Sequence, residues 1–117
     1  MTDTIRIFHN PRCSKSRATM ALLSERDIQP DVVDYLIHPP GKKALEDILD
    51  MLGLEPRQLM RTHEVEYKNN NLADESLSRQ HLIEAMIKFP VLIERPIVIH
   101  NGKAAIGRPP ENILEIL

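Results

Sequence analysis

The chain has one cysteine, Cys13, and no tryptophan in 117 residues. A lone thiol cannot close an internal disulfide, so a disulfide framework and a self-resolving CxxC redox pair are both excluded, and a reducing compartment fits. Aromatic residues are scarce as well. Phe8, Phe89, Tyr35 and Tyr67 are the full set, too few for stacking platforms that hold bases or flavins. An excess of one charge sign is also missing: Lys and Arg number 15, Asp and Glu 17, for a formal net charge of −2. Nothing in that balance calls for a nucleic acid or another polyanion. No apolar run is long enough to span a bilayer, and residues 1–6 are polar, without the apolar stretch of a signal peptide. A cytoplasmic protein with no nucleic-acid or membrane partner is expected. His9, His38, His63, His81 and His100 form no HxxxH pair and have no thiol partner beyond Cys13, so no metal site and no bound cofactor are expected. The motifs GxxxxGK[ST], GxGxxG and GxSxG are absent. Thr19 stands six residues after Cys13, where a phosphatase-type loop requires arginine.

What is present reads as one α/β domain over residues 1–117, long enough to bury a modest core. Residues 5–8 are an apolar run, followed by a helical stretch over 15–24 and a β-favouring run over 31–36, which together predict a parallel βαβ unit. His38-Pro39-Pro40-Gly41 interrupts the pattern. Leu45, Ile48, Leu49 and Leu52 then recur at helical spacing up to Gly53. Pro56 suits the first turn of a short helix carrying Leu59, Met60 and Arg61, and Asn69-Asn70-Asn71 suits a turn. Ser78 is placed to cap a helix bearing Leu82, Ile83, Met86 and Ile87, ended before Pro90. A helical insert over about 41–89 is expected. The period changes after it: residues 97–100 and 103–106 flank Asn101-Gly102, a strong signal for a type I′ hairpin. Pro109-Pro110 then opens a terminal helix over 111–117. The order is βαβ, helical insert, ββα.

Cys13 lies in His9-Asn10-Pro11-Arg12-Cys13-Ser14-Lys15-Ser16-Arg17, between the first strand and the first helix. At a helix amino terminus, free N–H groups and the helix dipole favour a thiolate and attract an oxyanion. The polar and basic neighbours predict an accessible, reactive thiol of lowered pKa. In Cys13-x-x-Ser16 a hydroxyl stands where a resolving thiol would be, so redox turnover would need an outside thiol, glutathione or a partner redoxin. Ser16 is expected to donate a hydrogen bond to the sulfur. His9 could depress the thiol pKa or act as a base, or equally could brace the turn. The bond before Pro96 is a candidate cis peptide. Arg61, Arg95 and Arg108 are ordinary surface residues when each is taken alone.

Taken together, His9-Asn10-Pro11-x-Cys13-x-x-Ser16-Arg17, Leu59-Met60-Arg61, Glu94-Arg95-Pro96-Ile97-Val98 and Gly107-Arg108-Pro109 resemble the ArsC family along essentially the whole chain. The resemblance implies a thioredoxin-like fold with a mixed four-stranded sheet and a helical insert. It also implies a glutathione- and glutaredoxin-dependent arsenate reductase acting through a Cys13 thiol-arsenate intermediate. Cys13 matches the nucleophile, Arg61, Arg95 and Arg108 the anion-binding arginines, and His9 and Ser16 the groups supporting the thiolate, with Pro96 cis. Ser14-Lys15 departs from the Gly-Thr pair of plasmid-borne arsenate-resistance members. Two alternatives share the fold: a thiol protein acting on another oxidised substrate, and a Spx-like regulatory binding protein. A monomer is expected, with arsenate, glutathione and glutaredoxin as its partners.

Overall fold

A computed structural model describes residues 4–117; the reading of segment 1–6 therefore lies partly outside the described residues. The strand β1 (Ile5–His9), helix α1 (Ser14–Glu25) and strand β2 (Asp31–Asp34) form the expected βαβ unit. β2 runs parallel to β1, with Val32 opposite Ile7 and Asp34 opposite His9. It stops short of the expected residue 36 because the chain turns on Asp34. The Leu36 N–H donates to Asp34 Oδ1 at 3.2 Å, and the N–H groups of Ile37 and His38 reach the Asp34 carbonyl at 3.1 and 2.8 Å.

Strand β3 (Ile97–His100) lies antiparallel on the other side of β1, and β4 (Lys103–Ile106) pairs antiparallel with β3. The order β2-β1-β3-β4 makes a mixed four-stranded sheet, the thioredoxin-like α/β arrangement. Asn101 and Gly102 both take positive φ, 53° and 76°, as a type I′ turn demands and as Asn-Gly tolerates best. Ile7, Leu23, Val98 and Ile113 are fully buried against one another. Each such side chain stabilises the fold by ~1.5–3 kcal/mol, and the cluster ties α1 to the middle of the sheet. The terminal helix differs from expectation: Pro110–Ile116 is a 3₁₀ helix. Its bonds, Asn112 N–H to Pro109 and Leu117 N–H to Leu114, span three residues. So short a segment has little cooperative gain from the wider α coil.

These elements belong to one compact unit, made of the residues up to His38 together with Arg95–Leu117; Pro39–Glu94 form a second. The second unit is helical: α2 (Lys42–Leu52), α3 (Pro56–Leu59), α4 (Val65–Asn69) and α5 (Arg79–Lys88), then a 3₁₀ turn at Pro90–Leu92. α2 buries Leu45, Ile48 and Leu49 and ends at Gly53 with φ of 68°, a left-handed stop that suits glycine. The Ser78 hydroxyl caps α5 by accepting the His81 N–H at 3.1 Å, and Leu82, Ile83 and Met86 face inward. α3 is shorter than expected and carries neither Met60 nor Arg61. Met60 instead forms an antiparallel bridge with Ile93. Flanking it, the Arg61 N–H donates to Leu92 at 2.6 Å and the Glu94 N–H to Leu59 at 2.8 Å. Extended pairing thus supplies the backbone bonds that another helical turn would have made. Among the described residues no helix is long and apolar enough to cross a membrane.

Candidate functional site

β1 delivers the chain to a tight turn, and α1 begins immediately after Cys13, the residue at its N-cap. Asn10 shapes that turn. Its carbonyl accepts the Cys13 N–H at 3.0 Å and its side-chain Oδ1 accepts the Arg12 N–H at 3.0 Å. Asn10 is itself buried, as are Ser16 and Thr19. The sequence signal for this role is the Asn10-Pro11 pair before the cysteine.

Cys13 is a free cysteine and only 9 % exposed, which corrects the expectation of an accessible thiol. Cys13, Ser16 and Thr19 share the inward face of α1, while the polar neighbours Arg12, Ser14, Lys15 and Arg17 turn outward. Cys13 makes no side-chain cap hydrogen bond, but the donors around it bear on its acidity. Burial pushes the thiol pKa up, but it is outweighed by the Ser16 N–H, a hydrogen bond from the Arg95 side chain, the Lys15 N–H and the Arg95 charge. The net result is a pKa below the ordinary value of 9.0. A buried sulfur that nonetheless favours its anion is primed for nucleophilic attack.

Ser16 does not act as expected. Its Oγ lies 2.5 Å from His9 Nδ1 and accepts the Asn10 N–H at 3.0 Å, so the hydroxyl braces the turn. The group that serves the sulfur is the Ser16 backbone N–H. His9 fits its bracing alternative. Burial lowers its pKa, the Asp34 carboxylate opposes this and the Arg17 charge adds to it, with a net shift below 6.5. A neutral ring can accept the Ser16 hydroxyl hydrogen at Nδ1.

The Arg95-Pro96 peptide is cis, as the resemblance implied, and so is Arg108-Pro109, which was not anticipated. Arg108 reaches this part of the unit through Gly107, whose N–H donates to the Pro96 carbonyl at 2.9 Å. A Cβ on Gly107 would stand 2.5 Å from Thr19 Oγ1 and 2.8 Å from Pro96 Cγ. Neither neighbour is free to move: Thr19 Oγ1 is bonded to the Lys15 carbonyl at 2.9 Å, and Pro96 is a ring on the backbone. Gly107→Ala is therefore expected to lower unfolding free energy by about 1–3 kcal/mol, measured by denaturant titration. Unchanged stability would show that the 107–108 backbone can give way.

His9, Cys13, Ser16 and Arg95 thus come together in one unit, with Pro96 and Arg108 joined to them through the backbone. Arg61 belongs to the second unit, where its Nη1 lies 3.0 Å from Glu94 Oε1 and its Nε 3.5 Å from Glu64 Oε2. Among the described residues no group of three or more His, Cys, Asp or Glu side chains could hold a metal ion.

Comparison with known proteins gives a match to the ArsC family over residues 8–116. The chain is 51 % identical over 114 residues to an arsenate reductase of Neisseria meningitidis serogroup A, covering 97 % of each. It is 55 % identical over 118 aligned positions to the uncharacterised protein YfgD of Escherichia coli, covering 100 % of this chain and 99 % of that protein. Among solved structures, an arsenate reductase from Vibrio cholerae superposes with a TM-score of 0.96 at 49 % identity, covering 100 % of both chains.

Proposed function

The chain belongs to the ArsC family, and on that footing we propose that it reduces arsenate to arsenite, with Cys13 as nucleophile and glutathione and glutaredoxin as reductants. The observation that carries this reading is the setting of Cys13, a largely buried sulfur whose anion is favoured by two helix N–H groups and by Arg95. Arsenate is a dianion near neutral pH, and a thiolate approaching it meets like charge. Two unit charges 4 Å apart repel by about 4 kcal/mol near a protein surface, enough to slow attack about a thousandfold. Guanidinium groups and helix N–H donors offset that repulsion, and arginine also matches tetrahedral oxyanions with paired donors.

The chemistry balances with external thiols alone. The Cys13 sulfur attacks As(V), an S–As bond forms, and one As–O bond breaks; the departing oxygen leaves as water with the thiol proton. Glutathione forms a second S–As bond in the same way and releases a second water. A glutaredoxin thiolate then attacks the glutathione sulfur. Their S–S bond forms, the As–S bond to glutathione breaks, and its electron pair stays on arsenic, which becomes As(III). Water cleaves the Cys13–As(III) bond, arsenite departs and the thiol regains its proton. Arg95 and Arg108 hold the oxyanion in this scheme; the role of Arg61 rests on the family motif. The absence of a second cysteine supports an outside reductant, and a reducing cytoplasm and a monomeric enzyme complete the reading.

Purified protein supplied with arsenate, glutathione, glutaredoxin and glutathione reductase should consume NADPH in an arsenate-dependent way. Consumption no faster than without the protein would overturn arsenate as substrate and direct attention to another oxidised substrate of the same thiol.

A further inference from the structure

Between residues 4 and 24 the chain carries four Lys or Arg side chains and no carboxylate, although as a whole it has two more acids than bases. Arg6 is paired with Asp31 at 3.3 Å. Arg12, Lys15 and Arg17 are exposed, and among the described residues none of them takes part in an ion pair. All three lie within four residues of Cys13. We propose that Arg12, Lys15 and Arg17 form a cationic collar around the Cys13 turn that gathers anionic reactants from solution and ranks them by charge. The proposal rests on the function proposed above in taking arsenate as the reactant, and it holds for any anionic substrate of the same thiol.

The backbone fixes these charges beside the sulfur. The Lys15 N–H is one of the donors to Cys13, which puts the Lys15 Cα roughly 5 Å from the sulfur. Its ammonium is then within about 10 Å, one Debye length at roughly 0.1 M salt. The Arg12 N–H donates to Asn10 Oδ1 at 3.0 Å, anchoring the residue next to the cysteine. Arg17 folds back over the turn, its Nη1 donating to the Pro11 carbonyl at 3.0 Å, and its charge lowers the pKa of His9. Asp34, opposite His9 on β2, lines a cleft with Arg12 and offsets part of this charge. No acidic residue stands in the first turn of α1, and the helix end adds its own positive potential.

The collar and the groups on the sulfur act at different moments. The acidity of Cys13 is set by Arg95 and the N–H groups of Ser16 and Lys15, around a side chain only 9 % exposed. The collar stands in solvent and acts on the reactant during its approach. A unit charge about 8 Å from a monoanion in water raises its local concentration about twofold at low salt. A dianion at the same place is enriched by the square of that factor. Arsenate thereby gains over monoanions, and over neutral thiol reagents, before any contact forms.

Iodoacetate, a monoanion, and iodoacetamide, its neutral counterpart, read the collar without arsenate. The ratio of their rates with Cys13 cancels the thiolate fraction. At about 10 mM ionic strength, Arg12→Gln and Lys15→Gln, which keep the backbone N–H groups, should each lower that ratio about twofold, and the double variant about fourfold. The differences should vanish near roughly 0.5 M salt. The kcat/KM for arsenate should fall about fourfold per charge removed. Arg17 is left unaltered because its side chain also holds Pro11. Lys103→Gln removes the same charge at the other end of the sheet, where Lys103 pairs with His100 and His100 with Ile5, and should leave the ratio near wild type. A wild-type ratio in the double variant overturns the proposal even where arsenate is reduced, as does a loss that Lys103→Gln matches. If arsenate is not reduced at all, the ratio still decides. A salt-sensitive fall then upholds the collar while the arsenate reading fails.

Discussion

Cys13→Ser is expected to abolish arsenate-dependent NADPH consumption while the chain stays folded. Serine nearly preserves the shape of cysteine, and the backbone that positions residue 13 does not depend on sulfur. The Cys13 N–H donates to the Asn10 carbonyl and the Cys13 carbonyl accepts the Arg17 N–H, both at 3.0 Å. What changes is acidity. A helix terminus and one arginine lower a thiol pKa enough to populate the anion, whereas an alkyl hydroxyl lies too far above neutrality to be brought there by the same groups. No other thiol in the chain can substitute. Loss of a nucleophile of this kind costs roughly 10⁴-fold or more in turnover, which places the variant at the uncatalysed background. Circular dichroism and denaturant unfolding close to wild type establish that the loss is chemical. Turnover within tenfold of wild type would reject Cys13 as the attacking group.

How much of this site was legible depended on whether a residue's role was local. The hairpin at Asn101-Gly102, the cap at Ser78 and the stop at Gly53 are each decided by one or two residues' backbone preferences, and the fold has them where the spacing put them. The placement of Cys13 at a strand-to-helix turn was legible for the same reason. Burial of its sulfur was not, because the basic neighbours that suggested exposure lie on the outward positions of α1, while every third residue, Cys13, Ser16 and Thr19, turns in. The direction of the Ser16 hydroxyl was likewise beyond local reading. The hydroxyl goes to His9 and Asn10 because β1 brings those two residues to the first turn of α1. Tertiary pairing also overruled propensity at Met60, which bridges to Ile93, thirty-three residues on, instead of extending α3. The need for a bare glycine at 107 arises only where the backbone passes Thr19 and Pro96, from two other parts of the chain.

Arg95 is the one side chain whose charge and hydrogen bond both favour the Cys13 anion, so Arg95→Ala separates electrostatic activation from mere placement of a thiol. Burial, which raises the pKa, persists in the variant, as do the Ser16 and Lys15 N–H groups; only the two contributions of Arg95 are lost. The pH profile of Cys13 alkylation should therefore move to higher pH, and turnover at neutral pH should fall by about 10²-fold. Arg95→Lys keeps the charge and loses the paired donors, and should fall between alanine and wild type. Stability gives an independent check, with its sign set by linkage. The folded thiol loses its proton at lower pH than the unfolded thiol, so its stabilising contribution is complete above the unfolded value near 9.0 and is lost as pH falls through the folded pKa. Arg95→Ala narrows the gap between those two values, and unfolding free energy should rise less steeply with pH across it than in wild type. An alkylation profile that coincides with wild type would remove Arg95 from thiolate activation, and its part in the reaction would then reduce to contact with the oxyanion.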